Sequence, residues 1–232
     1  MVPTMRRAWR ALSRFWETDE SLSVLLVLLV VLELVLPPLL PPEGPGRPRP
    51  LADTLFSLVL VSGMAAVWRE GRWVVRAVLV LGLVALPMRW GTYLDPGGTF
   101  ATWRVATAVV ALTMLTLVVL AKVLRPGMIT AYRLQGAVAA YLLFGLVWAG
   151  AYEWVALTDA SAFVGAGAGS VESPQWVYYS LVTLTTMGYG DITPVHPVAR
   201  SLAAAEALTG QLYLAILISR LVALELQSRK TP

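Results

Sequence analysis

The chain has 232 residues, 57% of them hydrophobic and only 14% charged, against roughly a quarter charged in an ordinary soluble domain. It has no cysteine, which excludes disulfides and thiolate chemistry, and its single histidine, His196, argues against a His-based metal site or acid–base pair within one chain. In so apolar a chain the net charge of +4 reports topology rather than affinity for nucleic acid, and no nucleic-acid partner is expected.

Taken in chain order, Arg6, Arg7, Arg10 and Arg14 precede the first apolar run as the basic region of a signal peptide would. Glu17, Asp19 and Glu20 intervene, however, and no small-residue cleavage site follows, so an uncleaved spanning helix is expected. That first segment runs from about Ser21 to Leu36, where Pro37 and Pro38 should stop it, and a Pro/Gly-rich loop reaches Pro50. The second runs from about Leu51 to Trp68, with Asp53 in its first turn, and "REGR" makes the turn to the third, from Trp73 to about Met88. Asp95-Pro96-Gly97 is a turn signal in the next loop. The fourth segment spans about Thr102 to Leu124 and the fifth about Ile129 to Trp154. After a Gly/Ala/Ser-rich loop and a short helical stretch, the last runs from about Pro197 to Leu226.

Six runs of this kind, near the ~20 apolar residues that cross a bilayer, give an all-α, multi-pass membrane protein. With both termini cytoplasmic, thirteen of the 18 Lys and Arg residues fall inside, and Arg47, Arg49, Arg89, Arg104 and Arg200 fall outside. An excess of cations on the cytoplasmic side is the expected bias. The expected location is the cell membrane.

The stretch "SPQWVYYSLVTLTT", Ser173 to Thr186, is too short to cross a hydrocarbon core of ~30 Å. Ser173 as N-cap and Pro174 at the first helical position make a helix start. The stretch should be a re-entrant half-membrane helix. Gly188 and Gly190 then break helicity, and irregular backbone at membrane depth is tolerated only where it is buried in protein or lines a wet cavity. The loop is expected to face an aqueous path.

Thr186-Met187-Gly188-Tyr189-Gly190-Asp191 resembles the selectivity filter of tetrameric potassium channels, usually Thr-Val-Gly-Tyr-Gly-Asp. The whole layout resembles a prokaryotic six-span member of that superfamily. The resemblance implies a homotetramer in which Thr186, Met187, Gly188 and Tyr189 offer oxygens to dehydrated K⁺, while Gly190 lets the outermost carbonyl turn. It implies that Met187 and Tyr189 point away from the pore, supported by Trp176, Tyr178 and Tyr179. Met187 departs from the usual valine. Val182 stands where some relatives carry a glutamate that pairs with the filter aspartate, so Asp191 needs another partner. Gly210, 20 residues after Gly190, matches a hinge glycine of the inner helix. The alternative for Gly210 is a small residue for close helix packing. Ile218 and Val222 are candidates for the inner gate.

On this resemblance, residues 1–20 form a cytoplasmic N-terminus, 21–126 a four-helix domain like a voltage sensor, 127–228 the pore domain and 229–232 a short tail. A sensor repeats Arg or Lys at every third position. Here the positions after Arg104 are Thr107, Val110, Thr113 and Thr116. Arg104 and Lys122, at opposite ends of the segment, are expected to snorkel to the interfaces, and steep voltage gating is not expected. Glu33 and Glu153 could be ion-pairing partners or proton sites. Their plainer reading is solvated or snorkelling carboxylates near an interface. His196, beside the filter, could sense external pH, the plainer reading being an exposed loop histidine. No room follows the sixth segment for a cytoplasmic ligand-binding domain, so gating is expected through membrane lipids, the outer mouth, the termini or a separate regulatory subunit.

The expected function is therefore passive, K⁺-selective conduction, not catalysis, with no cofactor beyond the permeant K⁺. The alternatives are a non-selective cation channel, which usually lacks the tyrosine or second glycine, and a Trk/Ktr-like uptake subunit. A Trk/Ktr-type uptake subunit would carry four filter repeats in one chain. A non-conducting accessory protein would have no use for the motif.

Overall fold

The computed structural model describes residues 20–39, 50–67, 72–91, 101–125, 131–165 and 174–228. The expected N-cap at Ser173 lies outside them.

Helix α1 begins as Glu20–Val30, passes through a π-helical turn at Val31–Val35 and ends as Leu36–Leu39. Pro37 and Pro38 were expected to stop it at Leu36. The correction has a physical reason. A proline ring collides with the carbonyl four residues back in an α-helix, and the wider π turn, where Leu36 N–H bonds the Val31 carbonyl, lies at those carbonyls. Helix α2 spans Pro50–Val67, opening on proline where a missing N–H costs nothing. Helix α3 spans Arg72–Gly91, running through Pro87 and past the expected end at Met88. Its extra turn is held against α2. Arg89 pairs with Asp53 at 2.5 Å and stacks over the Phe56 ring at 4.2 Å, and Trp90 Nε1 donates to Ser57 Oγ at 3.3 Å.

Helix α4 is Ala101–Val123 and α5 is Ala131–Thr158. Their packing is the most extensive in the molecule, with α1 on the other flank of α5. Leu25 and Leu29 of α1, Val59 of α2, Leu115 and Val119 of α4 and Ala139, Ala140 and Leu143 of α5 are buried together in the main core. Among the described residues four helical segments are long and apolar enough to cross a membrane: Leu22–Leu39, Thr102–Val123, Ala131–Thr158 and Pro197–Arg220.

The rest of the chain builds against α5. Helix α6, Pro174–Leu184, has 11 residues, roughly 16 Å at 1.5 Å per residue, about half a hydrocarbon core. Helix α7, Pro197–Ser228, is continuous. Between α5 and α7 the chain also forms a two-residue antiparallel ribbon, β1 Phe163–Val164 against β2 Thr193–Pro194, with Phe163 opposite Pro194. A second core of Tyr152, Phe163, Trp176, Tyr179 and Ile192 gathers ribbon, α5 and α6. Helix α7 presents much of its apolar surface to the outside. Leu208, Leu212, Ile216, Ile218 and Val222 are each more than half exposed.

Candidate functional site

Helix α6 ends at Leu184, and the chain leaves it through a loop whose backbone alternates in handedness. Thr186 (φ 58°), Gly188 (φ 58°) and Gly190 (φ 79°) have positive φ; Met187 and Tyr189 between them do not. Alternation of this kind turns successive N–H groups to one side and carbonyls to the other. The N–H groups of Met187 and Gly188 both reach back to the Val182 carbonyl, at 2.9 and 3.3 Å. Among the described residues no hydrogen bond ends on a main-chain carbonyl of 186–190, and all five residues are exposed. A row of unpaired carbonyls calls for a partner such as water or a cation. The C-terminal end of α6, the negative end of its dipole, lies at the same place and favours positive charge.

Several side chains brace this loop. Gln211 of α7 donates through Nε2 to Thr186 Oγ1 at 3.2 Å. Tyr178 stacks on Tyr189, ring centroids 6.5 Å apart and 11° from parallel, and also hydrogen-bonds Asp191. Tyr178 is thus the partner that Asp191 lacks at Val182. Trp176 and Tyr179 were expected to support the loop as well, and here the expectation needs correcting. Both are buried and pack on the far side, Trp176 against Phe163 (4.7 Å) and Tyr179 against Tyr152 (4.8 Å) and Phe163 (5.6 Å). They sit on the face of α6 that meets α5 and the ribbon, while Tyr178, next along the helix, projects toward the loop. Met187 is 57% exposed in the single chain and Tyr189 65%.

A buried polar knot ties α6 to α5 and α7. Glu206 of α7 is fully buried. The Tyr152 hydroxyl donates to its Oε2, and Ser180 Oγ lies 2.5 Å from its Oε1 and 2.8 Å from the Gly145 carbonyl. Nothing above singled out Glu206 or Gln211. The signal for Glu206 was present: a lone acid inside an apolar spanning segment, one helical turn before Gly210. At Gly210 itself an added Cβ would collide with the Leu184 carbonyl. The structure thus supplies a close-packing reason for this glycine. Ile218 and Val222 lie farther along α7, exposed, near Arg220, whose Nη2 donates to the Arg125 carbonyl at 2.6 Å.

The two acids read as solvated or snorkelling are neither. Glu153 is 6% exposed and bonds Arg104 at 2.6 Å. Arg104, expected to reach an interface, is instead fixed to α5, because pairing inside the bundle satisfies both charges. Glu33 is 4% exposed, sits in the π turn of α1 and faces Gly145, with neither carboxyl oxygen hydrogen-bonded among the described residues. His196 has a structural role: its Nδ1 accepts the Val198 N–H at 3.2 Å, capping α7. Arg104→Gln removes the cation hydrogen-bonded to buried Glu153 and should cost about 3–5 kcal/mol of stability, measured by denaturant titration in detergent. Arg104→Lys should recover much of it.

Apolar spanning helices and a half-length helix ending in an irregular exposed loop define an α-helical membrane protein. Residues 136–226 match the family model described as ion channel. That stretch, from the first turns of α5 almost to the end of α7, is similar to ion channels. No curated protein and no solved structure matches the chain.

Proposed function

We propose that the chain is the subunit of a K⁺-selective channel, with four copies around a common axis and the 186–190 carbonyls facing it. The observation that carries this reading is the row of unpaired, exposed carbonyls with alternating φ. Such a row suits a dehydrated cation, and one loop per chain cannot ring an ion. The apolar α7 face, exposed in the single chain, supports burial against further copies around that axis, since contiguous exposed apolar surface marks an interface or lipid. In this reading α1 to α5 and α7 all span, both termini are cytoplasmic, and the pore domain begins near residue 127. Gly210 is the bending point of α7, and Ile218 and Val222 close the inner end.

Purified protein in liposomes should carry K⁺ and exclude Na⁺ under matched gradients, and crosslinking should trap a tetramer. Equal K⁺ and Na⁺ flux, or conduction by a monomer or dimer, would overturn the reading.

The four-helix domain α1–α4 does not make the channel steeply voltage-dependent. A true sensor moves 3–4 charges per subunit, each worth about 2.3 kcal/mol per 100 mV, whereas α4 carries only Arg104 and Lys122, and Arg104 is bonded to Glu153. Planar-bilayer recordings should show open probability that varies weakly with potential. Steep sigmoidal activation that flattens in Arg104→Gln would refute this.

A further inference from the structure

The two ends of the 186–190 loop are held in different ways. At the inner end the N–H groups of Met187 and Gly188 bond the Val182 carbonyl, and Gln211 reaches Thr186. Farther out, adjacent residues aside, no atom of the described residues lies within 4 Å of an added Cβ at Gly188 or Gly190. Packing against them does not fix the backbone there. Within the subunit, what restrains the outer end must act through Asp191 and the residues after it.

Those residues are fastened to the connection between α5 and α6. The ribbon pairs Val164 with Thr193 and Phe163 with Pro194. Beyond it the Ala162 carbonyl accepts from the N–H groups of Val195 at 2.9 Å and His196 at 3.2 Å, and Arg200 Nε donates to the Pro194 carbonyl at 3.1 Å. Phe163 and Ile192 are buried in the second core. Gly165, the residue after β1, has φ 85°. An added Cβ there would overlap the Asp191 carbonyl oxygen and lie 2.9 Å from its carbon and 3.3 Å from Ile192 Cα. Backbone meets backbone at this point, which glycine alone allows. Asp191 is thus held twice, its carbonyl flanked by Gly165 and its side chain bonded by Tyr178.

We infer that Gly165 is a positioning residue for ion conduction: its missing Cβ lets the ribbon seat against the Asp191 backbone, and the ribbon pins the outer end of the carbonyl row. Gly165 touches no ion in this role. It acts through Asp191 on the neighbouring Gly190 peptide, whose φ of 79° leaves it free of side-chain packing. A loop fastened only at its inner end can rotate its outer peptides, and a rotated carbonyl no longer replaces the water shell of K⁺ in preference to Na⁺. The role rests on the channel reading, and it calls for altered selectivity rather than only less folded protein.

The test is K⁺ and Na⁺ flux from liposomes holding the purified full chain, with size exclusion to confirm folding. Gly165→Ala should lower the K⁺/Na⁺ flux ratio about tenfold, the factor that left-handed strain in an L-residue represents. Val164→Pro removes the N–H of a ribbon residue and should lower the ratio by a route that leaves Gly165 in place. The chain has no cysteine, so Val164→Cys with Thr193→Cys can close one disulfide across an exposed antiparallel pair, whose spacing suits the bond. Oxidised, this variant should keep the ratio of the unaltered chain. An unchanged ratio in either loosened variant that folds, or a loss of flux on oxidation that reductant restores, overturns the positioning role while the unaltered chain still conducts K⁺ selectively. No selective K⁺ flux from the unaltered chain overturns the channel reading itself, and this role with it.

Discussion

Alanine at Gly188 or Gly190 should abolish K⁺ flux while leaving the protein folded and assembled. Both glycines have φ in the left-handed region, 58° and 79°, which costs an L-residue roughly 1–2 kcal/mol. Thr186, at φ 58°, already bears such strain. Adjacent residues aside, no atom of the described residues lies within 4 Å of an added Cβ at either position, so neither variant meets a clash with them. The strain is instead relieved by rotating the peptide, which takes a carbonyl out of the row. The measurement is reconstituted flux beside a size-exclusion profile. Unchanged K⁺ and Na⁺ permeability in both variants would refute the role given to the loop.

Glu206→Ala should be the most damaging substitution away from the loop. It strands the Tyr152 hydroxyl and leaves Ser180 only the Gly145 carbonyl. Leaving buried polar groups unpaired costs about 1–3 kcal/mol each. The loss also severs a buried polar tie joining α5, α6 and α7 just before α7 passes the end of α6. Both the thermal midpoint in detergent and K⁺ flux should fall sharply. Glu206→Gln keeps an oxygen to accept from Tyr152 and should retain most of both. A Gln variant as damaged as the Ala variant would show that negative charge at 206 matters, and not only the hydrogen bonds.

Helix existence was legible because proline, glycine and charge punctuate long apolar runs, and α4, α5 and α7 came within a few residues of their observed ends. Pro37 and Pro38 misled because a π turn just before them absorbs them. The loop could be read because its backbone demands are local: positive φ at alternate residues selects glycine at 188 and 190. Of its supports Tyr178 was named from the sequence, and Gln211 was not. Arg104 and Glu153 lie 49 residues apart in sequence, and an apolar helix carries no periodicity to show which face meets a neighbour. Tyr178 and Tyr179 likewise look alike in the chain; only the packing of α6 sends one to Tyr189 and the other to Tyr152.

The loop offers its carbonyls on an exposed face rather than to its own subunit, and in the proposed ring that arrangement bears on inheritance. No chain owns a complete site, so a chain that folds but has a faulty loop enters mixed rings and silences them. Gly188→Ala should therefore act dominantly, and co-expression with the unaltered chain should bring flux well below half. Arg104→Gln should behave in the opposite way. Its defect falls on folding, so faulty chains are removed before they join a ring, the remaining chains work normally, and the phenotype is recessive.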